Sequence, residues 1–478
     1  MRGVGAQSFV LAALSMTLAG HAPGQTPPPA AQQDVFAFVR ALDEAAVKKV
    51  WPGFNPSDWP VALFDGEQTI LLRHPSPPPE FSPMPGRPGV LVSPGRYPAV
   101  VSNSTREIGG VRTATVIAAA GQSVESTMLA TVEEVFHVFW LARHPSFRPD
   151  EMVRYAYPVK DVGNLRRMLA EDEALARALE ADTEQDSARW AATALEIRRD
   201  RTSSLADTVR TFETSLEMME GTANYTARRS LDQSPGQTAA RLRTGRSAEG
   251  VRWRFYDTGT ALCFLLDQFD PGWKARSDKE PELTIVELLG AALARRGVEP
   301  NTFSETDAAG FQTTASRDVA DLAGRQQRLH GELLARPGAR VIVEVADGAE
   351  PFDVKRFDPI NLFVLDAGEV VQANFITLAG PSGTVEMTNP GFARNSFAGT
   401  VGLTVSAGRH PLGDRIRRMT IVGIQDAPRV VKGEGAITVV ARGLRIELRG
   451  ADVHTDGETT RITVPARPPS LHFATSRG

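Results

Sequence analysis

The sequence comprises 478 residues, and its 53 Lys and Arg side chains are nearly balanced by 57 Asp and Glu, which gives a formal net charge of −4. A nucleic-acid-binding protein would carry a clear basic excess, so this balance argues against a nucleic-acid partner. With 42% hydrophobic and 23% charged residues the composition is that of a globular chain, and the single cysteine, Cys263, excludes an intrachain disulfide.

The N-terminus has the pattern of a secretory signal peptide. Arg2 precedes an apolar run over residues 9–20, which small residues and a Pro-rich segment follow. A membrane span needs roughly 20 apolar residues, and this run is shorter. We therefore expect a signal peptide over residues 1–25 and a Pro-rich linker over residues 26–33, which predicts a secreted or periplasmic protein without a membrane span.

The next segments predict one helix and a small antiparallel sheet. Apolar residues recur at helical spacing over 34–49, and a Pro-rich loop over 75–94 interrupts the segments that follow. Short β-like runs lie on both sides of this loop, over residues 59–64, 69–73, 99–102 and 112–119. The last two runs are joined across Gly109-Gly110.

The middle of the chain predicts a mostly helical region, and the C-terminal part predicts strands. Helices are expected over 126–141, 161–180, 184–199, 204–229, 255–269, 285–296 and 318–335. From Ala339 onward the apolar residues alternate with period two between Gly, Asp and Pro turns, as in a β-sandwich or irregular barrel. The sequence thus predicts an α+β fold, with a mostly helical domain over 34–335, a β-sandwich-like domain over 336–466 and a tail over 467–478.

One predicted helix carries a candidate metal motif. Glu133 and His137 are four residues apart and so project from one face of the helix over 126–141, with Glu134 flanking the same site. This is the geometry of the zinc-binding motif His-Glu-x-x-His, in which two histidines bind the metal and the glutamate acts as general base. In this chain a glutamate stands at the first histidine position.

A second helix carries three acidic residues on one stripe. Glu213, Glu217 and Glu220 are spaced by four and then three residues, so their charges repel unless a cation lies between them. That cation would be a metal or an arginine. Arg198 and Arg201 belong to a cationic cluster that would supply the arginines.

Other chemistries find less support in the sequence. A serine hydrolase would need a Gly-x-Ser-x-Gly elbow and a di-iron bundle would need a second Glu-x-x-His, and the sequence contains neither. His144 lies seven residues after His137, but Pro145 ends the helix there, which favours a capping or packing role.

The order of these motifs resembles that of the gluzincin metallopeptidases, in particular an exported bacterial branch with a long insert before the third zinc ligand. The resemblance extends over residues 59–289 and, more loosely, into the β region through Phe357-Asp358-Pro359. It rests on four motifs in sequence order: Glu133-Glu134-Val135-Phe136-His137, His144-Pro145, Arg198-Arg199-Asp200-Arg201 and Glu220-Gly221-Thr222-Ala223-Asn224-Tyr225.

The resemblance implies a zincin-like fold for the helical domain, with His137 and Glu220 as zinc ligands and Glu134 as the general base of peptide-bond hydrolysis. It assigns Glu213 and Glu217 to the surroundings of the site, as partners of Arg198 and Arg201. Glu133 departs from the family pattern, and as a ligand it would complete a shell of two carboxylates and one imidazole. Such a shell lowers the net charge of the metal, so we expect weaker zinc binding, more tolerance of manganese and slower hydrolysis.

Two functions therefore remain open at this point. One is an exported metallopeptidase-like protein that hydrolyses peptide or protein substrates through an altered site holding zinc or manganese. The other is a catalytically inactive gluzincin-like protein, without a required metal, that serves as a binding or envelope-associated module.

Overall fold

The computed structural model describes residues 35–118, 122–151, 153–244, 250–358, 362–364, 369–372, 375–388, 400–404 and 416–466. The expected signal peptide, the linker over 26–33 and the tail over 467–478 lie outside the described residues. Among the helices of the described part, none combines the length and the apolar character that crossing a membrane requires.

The chain divides into two compact units. The first unit comprises Met1–Asp150 and Asp161–Ala315, and the second comprises Glu151–Lys160 and Ser316–Gly478. The division falls inside the helix Glu305–Leu334, and the sequence-predicted boundary at 335/336 lies just beyond the end of this helix.

The N-terminal sheet of the first unit has the strand order β3-β4-β2-β1-β6-β5. Its pairs are antiparallel, except that β1 and β6 run parallel. The strands are β1 Val61–Phe64, β2 Gln68–Leu72, β3 Ser82–Pro83, β4 Val90–Pro94, β5 Ser104–Ile108 and β6 Val111–Ile117.

Two sequence-based predictions for this sheet are wrong. The strand expected over 99–102 lies at β5 instead, because Gly109 and Gly110, with φ of +52° and +76°, form a two-residue turn that joins β5 directly to β6. The loop expected over 75–94 contains β3 and β4, whose pairing tolerates prolines at the edge of the sheet.

The predicted helical middle of the chain is confirmed. One helix begins earlier than expected, at Glu305, and the helix expected over 204–229 is divided by a π-helical turn at Glu217–Gly221. The helices are α1 Val35–Val47, α2 Val124–Leu141, α3 Val162–Glu180, α4 Glu184–Ser203, α5 Asp207–Leu216, α6 Thr222–Ser230, α7 Pro235–Arg243, α8 Val251–Phe269, α9 Trp273–Lys279, α10 Ile285–Ala294 and α11 Glu305–Leu334.

Helix α2 lies at the centre of the first unit. Ser123 caps its N-terminus by accepting a hydrogen bond from the backbone N–H of Ser126, and no Gly or Pro interrupts the helix. Phe136 and Trp140 on α2 pack edge-on against Trp51, with ring centroids 5.2 Å apart in both pairs. This aromatic packing holds α2 firmly in the core.

The second unit consists of two sheets that share one apolar core, which confirms the predicted sandwich-like β domain. The strand orders are β18-β19-β7-β14-β13-β10-β9 and β15-β16-β17-β12-β11-β8. Buried side chains of both sheets, such as Val341 and Ile462 from one and Leu378 and Ile446 from the other, belong to a single cluster. The strands are β7 Ala339–Val345, β8 Asp353–Phe357, β9 Leu362–Val364, β10 Glu369–Gln372, β11 Phe375–Gly380, β12 Gly383–Thr388, β13 Thr400–Thr404, β14 Arg418–Ile424, β15 Arg429–Gly433, β16 Ala436–Ala441, β17 Leu444–Arg449, β18 Asp452–Asp456 and β19 Thr459–Val464.

Candidate metal centre

Helix α2 supplies three ionisable side chains to the interior of the first unit. Glu133, Glu134 and His137 are only 5%, 2% and 6% exposed, although their neighbours on the helix are mainly apolar. Thr105 of the edge strand β5 donates its hydroxyl to the main-chain oxygen of Glu134 at 3.4 Å, which places this edge of the sheet beside the motif. Buried ionisable groups are costly unless they are paired or bind a cation, so this concentration calls for a chemical explanation.

Glu220 reaches the same place from the π-helical turn between α5 and α6. A π turn inserts one extra residue into a helix and is frequent at functional sites. The turn packs backbone against backbone on α8, because a Cβ atom built on Gly221 would lie 2.5 Å from the Cα atom of Gly259. Glu220 is fully buried as a result.

Glu133, His137 and Glu220 form one cluster. Each offers a ligand atom, and these atoms all lie within 4.8 Å of one another. His137 Nε2 and Glu220 Oε2 lie 3.1 Å apart. This pair lacks the alignment of a hydrogen bond, and both ring nitrogens of His137 are without a hydrogen-bond partner among the described residues. The cluster could therefore hold a metal ion.

The charges of the cluster shift its pKa values strongly. Burial raises the pKa of Glu133 to about 7, and the neighbouring Glu220 adds to the effect. Burial is the largest influence on His137 and opposes its charged form, but the carboxylates of Glu220, Glu134 and Glu133 together outweigh it and raise the histidine pKa to about 9. Burial also opposes ionisation of Glu220, yet His137 and Arg252 lower its pKa to about 2. In the absence of a metal, the cluster thus holds protons that a divalent cation would displace.

Glu134 lies outside the three-residue cluster, but the charges of the cluster affect its pKa. Burial raises the pKa of Glu134 to about 8, with His137 acting in the opposite direction and Glu133 and Glu220 adding to the shift. A carboxyl group with a pKa near neutrality, in a buried site, has the property expected of a general acid or base.

Helix α8 provides the partners of Glu220. Arg252 donates through Nη2 to Glu220 Oε1 at 3.0 Å and through Nη1 to the hydroxyl of Tyr256 at 2.7 Å. One carboxylate oxygen of Glu220 is thereby held by the guanidinium, while Oε2 faces His137. On α6, Asn224 donates through Nδ2 to Glu133 Oε2 at 3.4 Å.

Sequence reasoning gave Asn224, Arg252 and Tyr256 no role in the site. Asn224 follows Glu220 by four residues and so shares its side of the helix, which is a signal that could have drawn attention to it. Arg252 and Tyr256 come from a helix about thirty residues further along the chain, and no local pattern in the sequence links them to Glu220.

Glu213 and Glu217 belong to a separate network of buried ion pairs, in which arginines neutralise them. Arg198 donates to both carboxylate oxygens of Glu217 at 2.5 and 2.6 Å, and Arg201 donates to both oxygens of Glu213 at 2.7 and 2.9 Å. Both arginines also contact Glu171. The network adjoins the cluster through Glu217, the first residue of the π turn, and so fixes the segment that carries Glu220.

His144 lies apart from the cluster. Its ring stacks on Trp140 with centroids 3.6 Å apart, and its Nδ1 lies 3.3 Å from the carbonyl oxygen of Pro281. The geometry is that of a packed core histidine. Cys263 is also in the core, fully buried on α8, one helical turn after Gly259.

A scan against protein-family models finds no match for this chain, and neither the curated proteins nor the solved structures show a significant similarity to it. The resemblance to gluzincins therefore stays a prediction from the sequence motifs.

Proposed function

We propose that this chain is an exported, metallopeptidase-like hydrolase whose divalent metal is held by Glu133, His137 and Glu220. The observation that carries the proposal is the convergence of three buried ligand atoms within 4.8 Å, with Nδ1 of His137 lacking a hydrogen-bond partner among the described residues and Nε2 facing Glu220 Oε2 at 3.1 Å. Glu134, on the same helix and under the influence of the same charges, is the proposed general base.

The donor set fits a first-row divalent ion. Two ligands bound about 2.1 Å from one tetrahedral zinc are separated by about 3.4 Å, and His137 Nε2 and Glu220 Oε2 are 3.1 Å apart. Two carboxylates and one imidazole form a set richer in oxygen than that of most zinc enzymes, which favours manganese as an alternative to zinc. Arg252 offsets the additional negative charge, because it pairs with Glu220.

The side chains have distinct roles in this proposal. When bound, the ion supplies Lewis acidity toward water and a substrate carbonyl. Arg252 holds Glu220 by one oxygen and leaves the other toward His137. Glu134 accepts a proton from the attacking water and returns it to the leaving amine, a task for which a carboxyl pKa near neutrality is suited.

A second candidate is an inactive relative that keeps the fold as a binding module. It draws support from Glu220, whose charge is neutralised by His137 and Arg252 without any metal. In such a protein the cluster would be a buried ion-pair network, like the one around Arg198 and Arg201.

Metal content separates the two candidates. We expect the mature protein, stripped of metal and then dialysed against Zn²⁺ or Mn²⁺, to retain close to one equivalent by elemental analysis. Glu220→Gln and His137→Ala should lose the metal, and Glu134→Gln should keep it. Wild-type content below about one tenth of an equivalent would contradict the metal site.

Peptidase activity provides the second test. The metal-loaded protein should hydrolyse casein-like substrates, and Glu134→Gln should lose this activity while retaining the metal. Full metal content with equal inactivity in both proteins would support the binding-module candidate. Export is tested separately by N-terminal sequencing of the periplasmic or secreted protein, which should begin near residue 26.

A further inference from the structure

The orientation of the Asn224 side-chain amide follows from its neighbours. Its Oδ1 accepts a hydrogen bond from Arg228 Nε at 2.6 Å. A guanidinium has no acceptor atom, so the amide atom that faces Arg228 must be the oxygen. The opposite atom, which faces Glu133 Oε2 at 3.4 Å, is therefore the NH₂ group.

This orientation is anchored beyond the immediate contact. Arg228 Nη1 donates to Gln233 Oε1 at 2.5 Å, and Gln233 Nε2 donates to Glu125 Oε1 at 2.9 Å. Glu125 lies in the first turn of α2, the helix that carries Glu133. A chain of hydrogen bonds thus returns from Asn224 to α2, and a rotation of the amide would break it at Arg228.

A fixed NH₂ group at this point distinguishes between the residue types that position 133 can hold. A carboxylate accepts a hydrogen bond from the amide with one oxygen and can bind the metal with the other. A histidine that binds a metal through one ring nitrogen carries a hydrogen on the other, which makes that second nitrogen a donor. The imidazole N–H of a histidine at position 133 would then face the NH₂ group of Asn224, and two donors cannot form a hydrogen bond. Histidine ligands normally have an acceptor next to this second nitrogen.

We propose that Asn224 is a positioning residue for Glu133, and that the pair makes position 133 a site matched to a carboxylate ligand rather than a histidine position that has been damaged. The inference rests on the proposed metal function, and it concerns which residue types the surroundings of the ligand accept. Asn224 is nine-tenths buried, and its contact with Glu133 spans 91 positions of the chain.

Metal affinity in four proteins tests the proposal: wild type, Asn224→Ala, Glu133→His and the double variant Glu133→His/Asn224→Asp. Asn224→Ala should bind Mn²⁺ about tenfold more weakly than wild type. Glu133→His alone should gain no zinc affinity. The double variant should bind zinc at least about tenfold more tightly than Glu133→His, because the carboxylate introduced at position 224 would accept the imidazole N–H and still pair with Arg228.

A matched control separates this effect from a general loss of stability. Asn164 on α3 is also a buried asparagine, with its amide toward Met168, so Asn164→Ala should leave metal affinity unchanged. Should Asn224→Ala fail to fold, Asn224→Ser replaces it. The proposal is overturned if Glu133→His alone raises zinc affinity tenfold and Asn224→Asp adds nothing, or if Asn224→Ala binds Mn²⁺ as wild type does.

Failure of the proposed metal function has a different signature, because the wild type would then bind neither ion. In that case the denaturation midpoints of the metal-free proteins decide the inference. Glu133→His should lower the midpoint. Asn224→Asp alone should also be destabilising, because it places a second carboxylate beside Glu133. In the double variant, Asn224→Asp should restore the midpoint that Glu133→His lowers. Additive losses in the double variant would overturn the pairing of the two residues.

Discussion

The backbones of Gly221 and Gly259 touch, since a Cβ atom built on Gly221 would lie 2.5 Å from the Cα atom of Gly259, and one built on Gly259 would lie 2.8 Å from the carbonyl oxygen of Glu217. This contact brings the π turn against α8, so that Glu220 lies within reach of Arg252 on that helix. The glycines therefore serve the site as well as the packing of the helices.

Replacing Gly259 should damage both stability and the site. Gly259→Ala forces a methyl group against backbone atoms that cannot move aside, which should cost about 3 kcal/mol of unfolding free energy. The displaced turn should also weaken metal binding. Gly310→Ala on α11 is the matched control, because nothing lies within 4 Å of its Cβ position. As a helix-interior substitution it should stabilise by about 0.5–1 kcal/mol, and equal losses in both variants would contradict the argument.

Replacing Arg198 should destabilise the protein far more than replacing its neighbour Arg199. Arg198→Met leaves the buried carboxylates of Glu171 and Glu217 short of a partner, which should cost about 3–5 kcal/mol. Arg199 is exposed and pairs with Glu196 at 3.6 Å, so Arg199→Met should cost less than about 1 kcal/mol. Denaturant unfolding of the two variants measures the difference, and similar values would mean that the buried network contributes nothing specific.

The metal-free protein should lose stability as the pH rises. Burial raises the pKa of Glu134 to about 8 from its ordinary value of 4.5, so the folded state holds this proton more tightly than the unfolded chain. Its contribution to stability is then full below pH 4.5 and is lost as the pH rises through 8. The raised pKa of His137 acts in the same direction, with its loss between pH 6.5 and about 9.

Glu134→Gln, which mimics the protonated side chain, should reduce this dependence. Relative to wild type, the metal-free variant should gain about 2 kcal/mol or more of unfolding free energy between about pH 5 and about pH 9. The exposed Glu196→Gln is the control and should leave the pH profile unchanged. Parallel profiles for Glu134→Gln and wild type would show that Glu134 ionises normally in the folded protein.

Metal binding should raise the stability of the folded protein by mass action. An ion present at about a hundred times its dissociation constant adds about 2.7 kcal/mol if it binds only the folded state. Thermal unfolding with and without Mn²⁺ measures this shift, and a chelator should reverse it. His137→Ala should abolish the shift, whereas a shift of the same size in that variant would place the ion elsewhere.

Local patterns predicted the parts of this molecule that local physics determines. Helix α2 lies where its uninterrupted apolar sequence and its Ser123 cap place it, and the four-residue spacing of Glu133 and His137 was sufficient to put them on one face. The period-two alternation of the C-terminal part likewise predicted the sandwich, as in β17, where Leu444, Ile446 and Leu448 are buried.

Features that depend on contacts distant in the sequence were not predictable in this way. The helix expected over 204–229 contains a π turn, and this turn packs against Gly259, which lies on another helix. The guanidinium of Arg252 reaches Glu220 across 32 positions of the chain. The strand expected over 99–102 was wrong for a different reason. The prediction followed the β-like composition of that segment, whereas the two-residue turn at Gly109-Gly110 places the strand at β5.

The buried thiol of Cys263 can report chemically on the opening of α8. Cys263 lies on α8 one turn after Gly259, is fully buried, and burial raises its thiol pKa well above the ordinary value, so it is inert in the closed structure. A thiol reagent can reach it only when α8 separates from its neighbours. With a single cysteine in the whole chain, the rate of labelling reports the opening of this helix alone, without any engineered probe.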